Sequence, residues 1–82
     1  MVIVYGSMLC PDCVACKEDF DQKGIAYDYR DFSENLKHLK EFLAIRDTSS
    51  LFDPIRAEGK IGIPCIVKEN GEVTLSWEEL IK

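Results

Sequence analysis

Three of the four cysteines, Cys10, Cys13 and Cys16, fall three residues apart in "MLCPDCVACKEDF", and the fourth, Cys65, follows a proline in "IGIPCIV". Sulfur at this spacing supports two chemistries. A C-x-x-C pair heading a helix can act as a dithiol, whose first thiolate attacks a disulfide and whose second sulfur releases the product. The same spacing forms half of many zinc sites, and thiolates also select Cu(I). A disulfide framework is a third use, but small secreted scaffolds spread their cysteines to staple distant loops. Clustered cysteines favour catalysis or metal.

The dithiol chemistry needs particular neighbours. Cys10 must end a loop at a helix N-terminus, where free N–H groups and the helix dipole favour an anion. Thiolate is the reactive form. Pro11 suits the first helical turn, where its missing N–H costs nothing. Cys13 lies one turn on, within reach of Cys10. Asp12 acts in the other sense, since a nearby carboxylate opposes thiolate formation. Cys10 is therefore expected as nucleophile and Cys13 as the resolving thiol. Cys16 shares a helical face with Cys13 and Phe20, and a buried free cysteine behaves as a small hydrophobe. Cys65 is expected to be a strand residue without chemistry. The alternative is a thiolate metal-binding or iron–sulfur module using Cys10, Cys13 and Cys65, or a redox-inactive adaptor. No second C-x-x-C in a distant loop supports the metal reading.

The elements that position these residues read as follows. "VIVY" (2–5) is a short β-branched and aromatic run, a buried strand. A helix starts at Pro11 and stops at Gly24, which suits a helix C-terminus. "IAYDY" (25–29) alternates enough for a second strand, and Ser33 is a plausible N-cap for a second helix reaching about Arg46. His38 on that helix is expected to be solvated. "PIRAEG" adds a helical turn closed by Gly59. "IPCIV" (63–67) and "EVTL" flank a "KENG" hairpin turn. Ser76 and Glu79 have capping-box spacing for a last short helix. Strands joined through a helix run parallel by a right-handed crossover, and hairpin strands run antiparallel. The expected fold is α/β, βαβα followed by ββα, a mixed four-stranded sheet flanked by helices.

Length and composition set the outer bounds. The chain has 82 residues, read as one domain over 1–82. It is 46% hydrophobic with only 5 Gly and 3 Pro, which fits a folded globule and not a disordered tail. No run approaches the ~18 apolar residues of a membrane span. A net charge of −5 argues against nucleic acid or an anionic membrane as partner. "MVIVYGSMLC" has no basic region, so no signal peptide is expected. A cytoplasmic monomer is the expectation.

The stretches "VIVYGSMLCPDC", "IGIPCIV" and the closing "SWEEL" together resemble the glutaredoxin family of the thioredoxin fold, in the family's order and over essentially the whole chain. The resemblance implies a thiol–disulfide oxidoreductase acting on protein or low-molecular-weight disulfides, with no bound cofactor. Glutathione or a dithiol reductase would be its electron donor. It implies that Pro64 is cis and that Ile63 and Pro64 shape the substrate groove beside Cys10 and Cys13. Pro11, Asp12, Ser76 and Trp77 are implied as further substrate-binding positions. The sequence departs from the family in a longer segment from Asp47 to Gly62 and at three places around the expected site. Asp12 replaces a tyrosine, Ser7 replaces a lysine that helps hold a glutathione carboxylate, and Leu75-Ser76 replaces a Gly-Gly pair. Poor recycling by glutathione is therefore expected.

Overall fold

The β-branched run at the N-terminus becomes the central strand β1 (Val2–Gly6). The structure, a computed structural model, describes residues 1–82. Pro11 opens helix α1 (Pro11–Lys23), and Gly24 closes it in the left-handed conformation at φ 70°. The chain returns as β2 (Tyr27–Asp31), parallel to β1 with Val2 opposite Tyr27 and Gly6 opposite Asp31. Helix α2 (Leu36–Thr48) follows, then a 3-10 turn at Ser50–Phe52 and the short helix α3 (Asp53–Ala57). Strands β3 (Cys65–Val67) and β4 (Val73–Thr74) form an antiparallel hairpin, and a 3-10 turn at Trp77–Leu80 ends the fold. The sheet order is β2-β1-β3-β4, with β3 antiparallel to β1. This is the thioredoxin-like βαβα-ββα topology that the residue pattern indicates.

Alternation along β1 sends successive side chains to opposite faces. Val2 and Val4 meet Cys16 and Phe20 of α1, backed by Trp77, Leu80 and Ile81. Tyr5 points the other way, to Phe42 of α2, Phe52 and Cys65. Three phenylalanines, Phe20, Phe42 and Phe52, are fully buried. Each contributes roughly 2–3 kcal/mol of transfer free energy. Phe42 ties the second face together, stacked on Phe32 at 5.1 Å and edge-on to Phe52 at 6.0 Å. No helix is long and apolar enough to cross a membrane.

Several local expectations are corrected. β2 begins at Tyr27, two residues after the expected start, because its pairing with β1 begins at Val2. The N-cap of α2 is Asn35, whose side chain accepts from the Lys37 N–H at 2.9 Å, and not Ser33. The third strand starts at Cys65, after the cis Ile63–Pro64 bond, and not at Ile63. The closing element is a 3-10 turn with no side-chain cap from Ser76. The Glu79 carboxylate pairs with Lys68 at 3.2 Å, so the capping box does not form. His38 is half-buried, with its Nδ1 enclosed and without a hydrogen-bond partner.

Candidate functional site

Cys10 occupies the N-cap of α1 with extended backbone (φ −98°, ψ 119°) and makes no side-chain cap of its own. Its carbonyl accepts the first helical bond from Val14 at 3.1 Å, and its N–H donates to the Ser7 carbonyl at 3.0 Å. The sulfur therefore sits where the positive end of the helix dipole is strongest. Cys10 is partly exposed, whereas Cys13, Cys16 and Cys65 are fully buried. All four are free thiols.

Burial sorts the four sulfurs chemically. The Cys13 thiol is pushed up to about 12, chiefly by burial, with the neighbouring Cys10 adding to the rise and the Ser7 backbone opposing it. Burial, helped by Asp19 and Glu78, also takes Cys16 to about 12. Burial alone does the same for Cys65. Near neutral pH these three thiols stay protonated. Cys65 faces Tyr5 and Phe52 on the α2 side of the sheet, away from Cys16 on α1. No three His, Cys, Asp or Glu side chains converge to hold an ion, so Cys65 does not complete a ligand set with Cys10 and Cys13.

A groove of about 760 Å³ opens beside Cys10. Its walls include Leu9, Phe32, Ile55, Ile61, Ile63 and Leu75, and Lys60 supplies the cation. Of the expected catalytic and substrate-binding residues, Cys10 and Ile63 line it together, and Ser7, where the family has a lysine, joins them. Pro64 is buried and does not line the groove, and Pro11 and Asp12 are exposed on the first turn of α1. Ser76 is exposed and Trp77 packs on the α1 side of the sheet, donating its indole N–H to Asp19 at 2.9 Å. Neither reaches the groove. Leu75, one residue earlier, does.

The loop that delivers Cys10 is held by residues the motif did not reveal. The Leu9 N–H donates to Ser7 Oγ at 3.1 Å, and the Ser7 hydroxyl donates to Ser33 Oγ at 3.1 Å. The Ser33 hydroxyl and N–H in turn donate to Asp31, which also accepts from the Met8 N–H at 3.3 Å. Burial pushes the Asp31 carboxyl up, but these bonds outweigh it and hold the group below the ordinary carboxylate value. Its stabilisation is therefore present above the unfolded Asp pKa of about 3.9 and is lost as pH falls through the lower folded value. Replacing Asp31 with Asn is expected to loosen this loop, speeding amide hydrogen exchange at Met8 and Ser33 roughly tenfold, the worth of one hydrogen bond. Unchanged exchange at both amides would show that the chain of bonds does not hold the loop. Asp31 lies 21 residues after Cys10 in sequence, and only the β1–β2 pairing brings Gly6 opposite it.

No family model matches this sequence, and no solved structure matches it. The chain is 35% identical over 78 residues to an uncharacterized protein of Haemophilus influenzae, an alignment that spans 95% of this chain and 91% of that one. At that identity over nearly the full length of both, the chain belongs to the family of the Haemophilus influenzae protein.

Proposed function

We propose that the protein is a glutaredoxin-like thiol–disulfide oxidoreductase that reduces protein disulfides through Cys10 and Cys13. The observation that carries this reading is the asymmetry of the pair: a partly exposed sulfur at a helix N-terminus facing a groove, with a buried thiol one turn behind it. The thiolate of Cys10 attacks a substrate sulfur, the substrate disulfide breaks, and the departing thiolate takes up a proton. Cys13 then loses its proton and attacks Cys10 Sγ, which releases the second substrate thiol and leaves a Cys10–Cys13 disulfide. Two electrons pass from the dithiol to the substrate.

The apolar surroundings support a polypeptide substrate. Leu9 is 86% exposed next to Cys10, Ile61 is 56% exposed on the groove and Met8 is 47% exposed on the same loop. Exposed apolar side chains grouped around a reactive centre are a mark of partner docking. Glutathione suits the groove less well. Ser7 stands where a cation would hold its carboxylate, and its hydroxyl is already committed to Ser33 and Leu9. Leu75 adds a side chain to the wall where a glycine pair would leave backbone free. A reductant panel tests this. The oxidised protein is expected to be recycled by a dithiol reductase and at least about tenfold more slowly by glutathione with its reductase, the cost of one charge-assisted contact. Equal rates would overturn the choice of donor. Absence of any disulfide reduction by the reduced protein would overturn the oxidoreductase reading itself.

A further inference from the structure

The hydroxyl of Tyr29 is buried and has no hydrogen-bond partner. An orphaned buried hydroxyl costs free energy, so the few that persist in folded proteins call for an explanation. Its location supplies one. Tyr29 pairs with Val4 across β1–β2 and projects to the α1 face of the sheet. There it meets the point where Cys13 descends. A Cβ placed on Gly6 would lie 2.8 Å from Cys13 Sγ and 3.1 Å from Tyr29 Oη. The absent side chain of Gly6 thus lets the phenol and the sulfur approach one another under the first turn of α1. Burial, followed by the proximity of Cys13 and then Asp31, holds the Tyr29 hydroxyl well above its ordinary value, so it remains a proton-bearing donor.

We propose that Tyr29 is the hydrogen-bond donor that receives Cys13 as a leaving thiolate when the Cys10–Cys13 disulfide is reduced. The inference rests on the oxidoreductase reading above. An incoming donor thiolate attacks Cys10 Sγ and forms a new S–S bond. The Cys10–Cys13 bond breaks, and its electron pair departs on Cys13 Sγ into a buried site. A second thiol of the donor then displaces Cys10, which leaves the donor oxidised and the protein a dithiol. Cys13 takes up a proton once it is free. In thiol–disulfide exchange the better-stabilised thiolate leaves faster. A neutral thiol is a weak acceptor, whereas a thiolate is a strong one. The hydroxyl that is idle beside Cys13–SH therefore gains its partner at the moment charge develops. Tyr29 keeps its proton throughout and does not act as the base.

The test is the rate at which dithiothreitol reduces the Cys10–Cys13 disulfide in wild-type protein and in Tyr29→Phe. The substitution keeps the ring and removes only the hydroxyl. The expected result is about a tenfold slowing, the scale of one hydrogen bond to a charged group. A second measurement separates this role from a packing effect. In a Cys13→Ser background, a mixed disulfide on Cys10 is reduced without Cys13 taking part, and Tyr29→Phe is expected to leave that rate unchanged. Tyr27→Phe is the control on the same strand, because its hydroxyl donates instead to Asp21 at 2.6 Å, and it should leave both rates unaltered. No slowing in the first measurement, or equal slowing in both, overturns the role of Tyr29 while leaving the dithiol chemistry standing. Failure of the wild-type protein to form a Cys10–Cys13 disulfide on oxidation overturns both.

Discussion

Cys10→Ser protein is expected to reduce no disulfide at all, and Cys13→Ser protein to accumulate partners as mixed disulfides through Cys10. The two outcomes differ because the two sulfurs occupy different environments. Cys10 meets solvent at the N-cap of α1 and opens on the groove. Cys13 has no exposed surface and a thiol pushed up to about 12. At pH 7 a thiol of that kind is ionised to only about one part in 10⁵, too little to initiate attack. Cys16 and Cys65 are equally buried and equally raised, so neither substitutes for Cys10. On the proposed chemistry, removing Cys10 therefore removes the sulfur that begins the exchange. Removing Cys13 leaves the first attack intact and blocks release by the dithiol route. Iodoacetamide labelling with mass mapping gives the same ordering independently: Cys10 reacts first, and the other three react only as the fold opens. Prior labelling of Cys13 or Cys65, or reductase activity retained by Cys10→Ser, would reverse the assignment of roles.

The parts of this arrangement legible in the sequence are those encoded locally. Pro11 at a helix start, Gly24 at its end and the i, i+3, i+7 set of Cys13, Cys16 and Phe20 define α1 within fifteen residues, and the structure follows them closely. Capping was less legible, because "DFSEN" offers three residues of a type that can cap, Asp31, Ser33 and Asn35. Ser33 is drawn into the bonds to Asp31 and Ser7, which leaves Asn35 to cap α2. At Ser76 the helical signal was local, but Glu79 is claimed by Lys68 across the fold. Tyr29 was invisible as a functional candidate for the same reason. In sequence it is one of three strand tyrosines, and its place beside Cys13 depends on the pairing of β2 with β1 and on the bare Cα of Gly6. Residues tied to the site through sheet register carry no spacing signature, whereas residues in one turn of helix do.

The groove wall depends on a second glycine in the same way, and Gly62→Ala is expected to destabilise the protein by roughly 3 kcal/mol. Two costs add. Gly62 has φ +91°, a conformation that L side chains rarely adopt, with a strain of about 1 kcal/mol. Its Cβ would also lie 2.5 Å from Phe52 Cε2, 2.9 Å from Phe52 Cδ2 and 3.1 Å from Ile55 Cγ2. Phe52 cannot retreat, because it is fully buried and edge-on to Phe42. The connection is also tied from outside, since Arg46 donates to the Lys60 and Ile61 carbonyls at 2.7 and 3.0 Å. Forcing a methyl into such a site typically costs about 1–3 kcal/mol. Gly59→Ala separates the two terms. Gly59 has φ +72° but nothing within 4 Å of the place a Cβ would take, so it carries the conformational cost alone. Denaturant unfolding midpoints, converted with a shared slope, should place Gly62→Ala well below Gly59→Ala. A Phe52→Leu background should recover part of the difference by making room for the methyl. If Gly62→Ala costs no more than Gly59→Ala, the contact with Phe52 does not fix this wall, and Ile63 must be held beside Cys10 by something else.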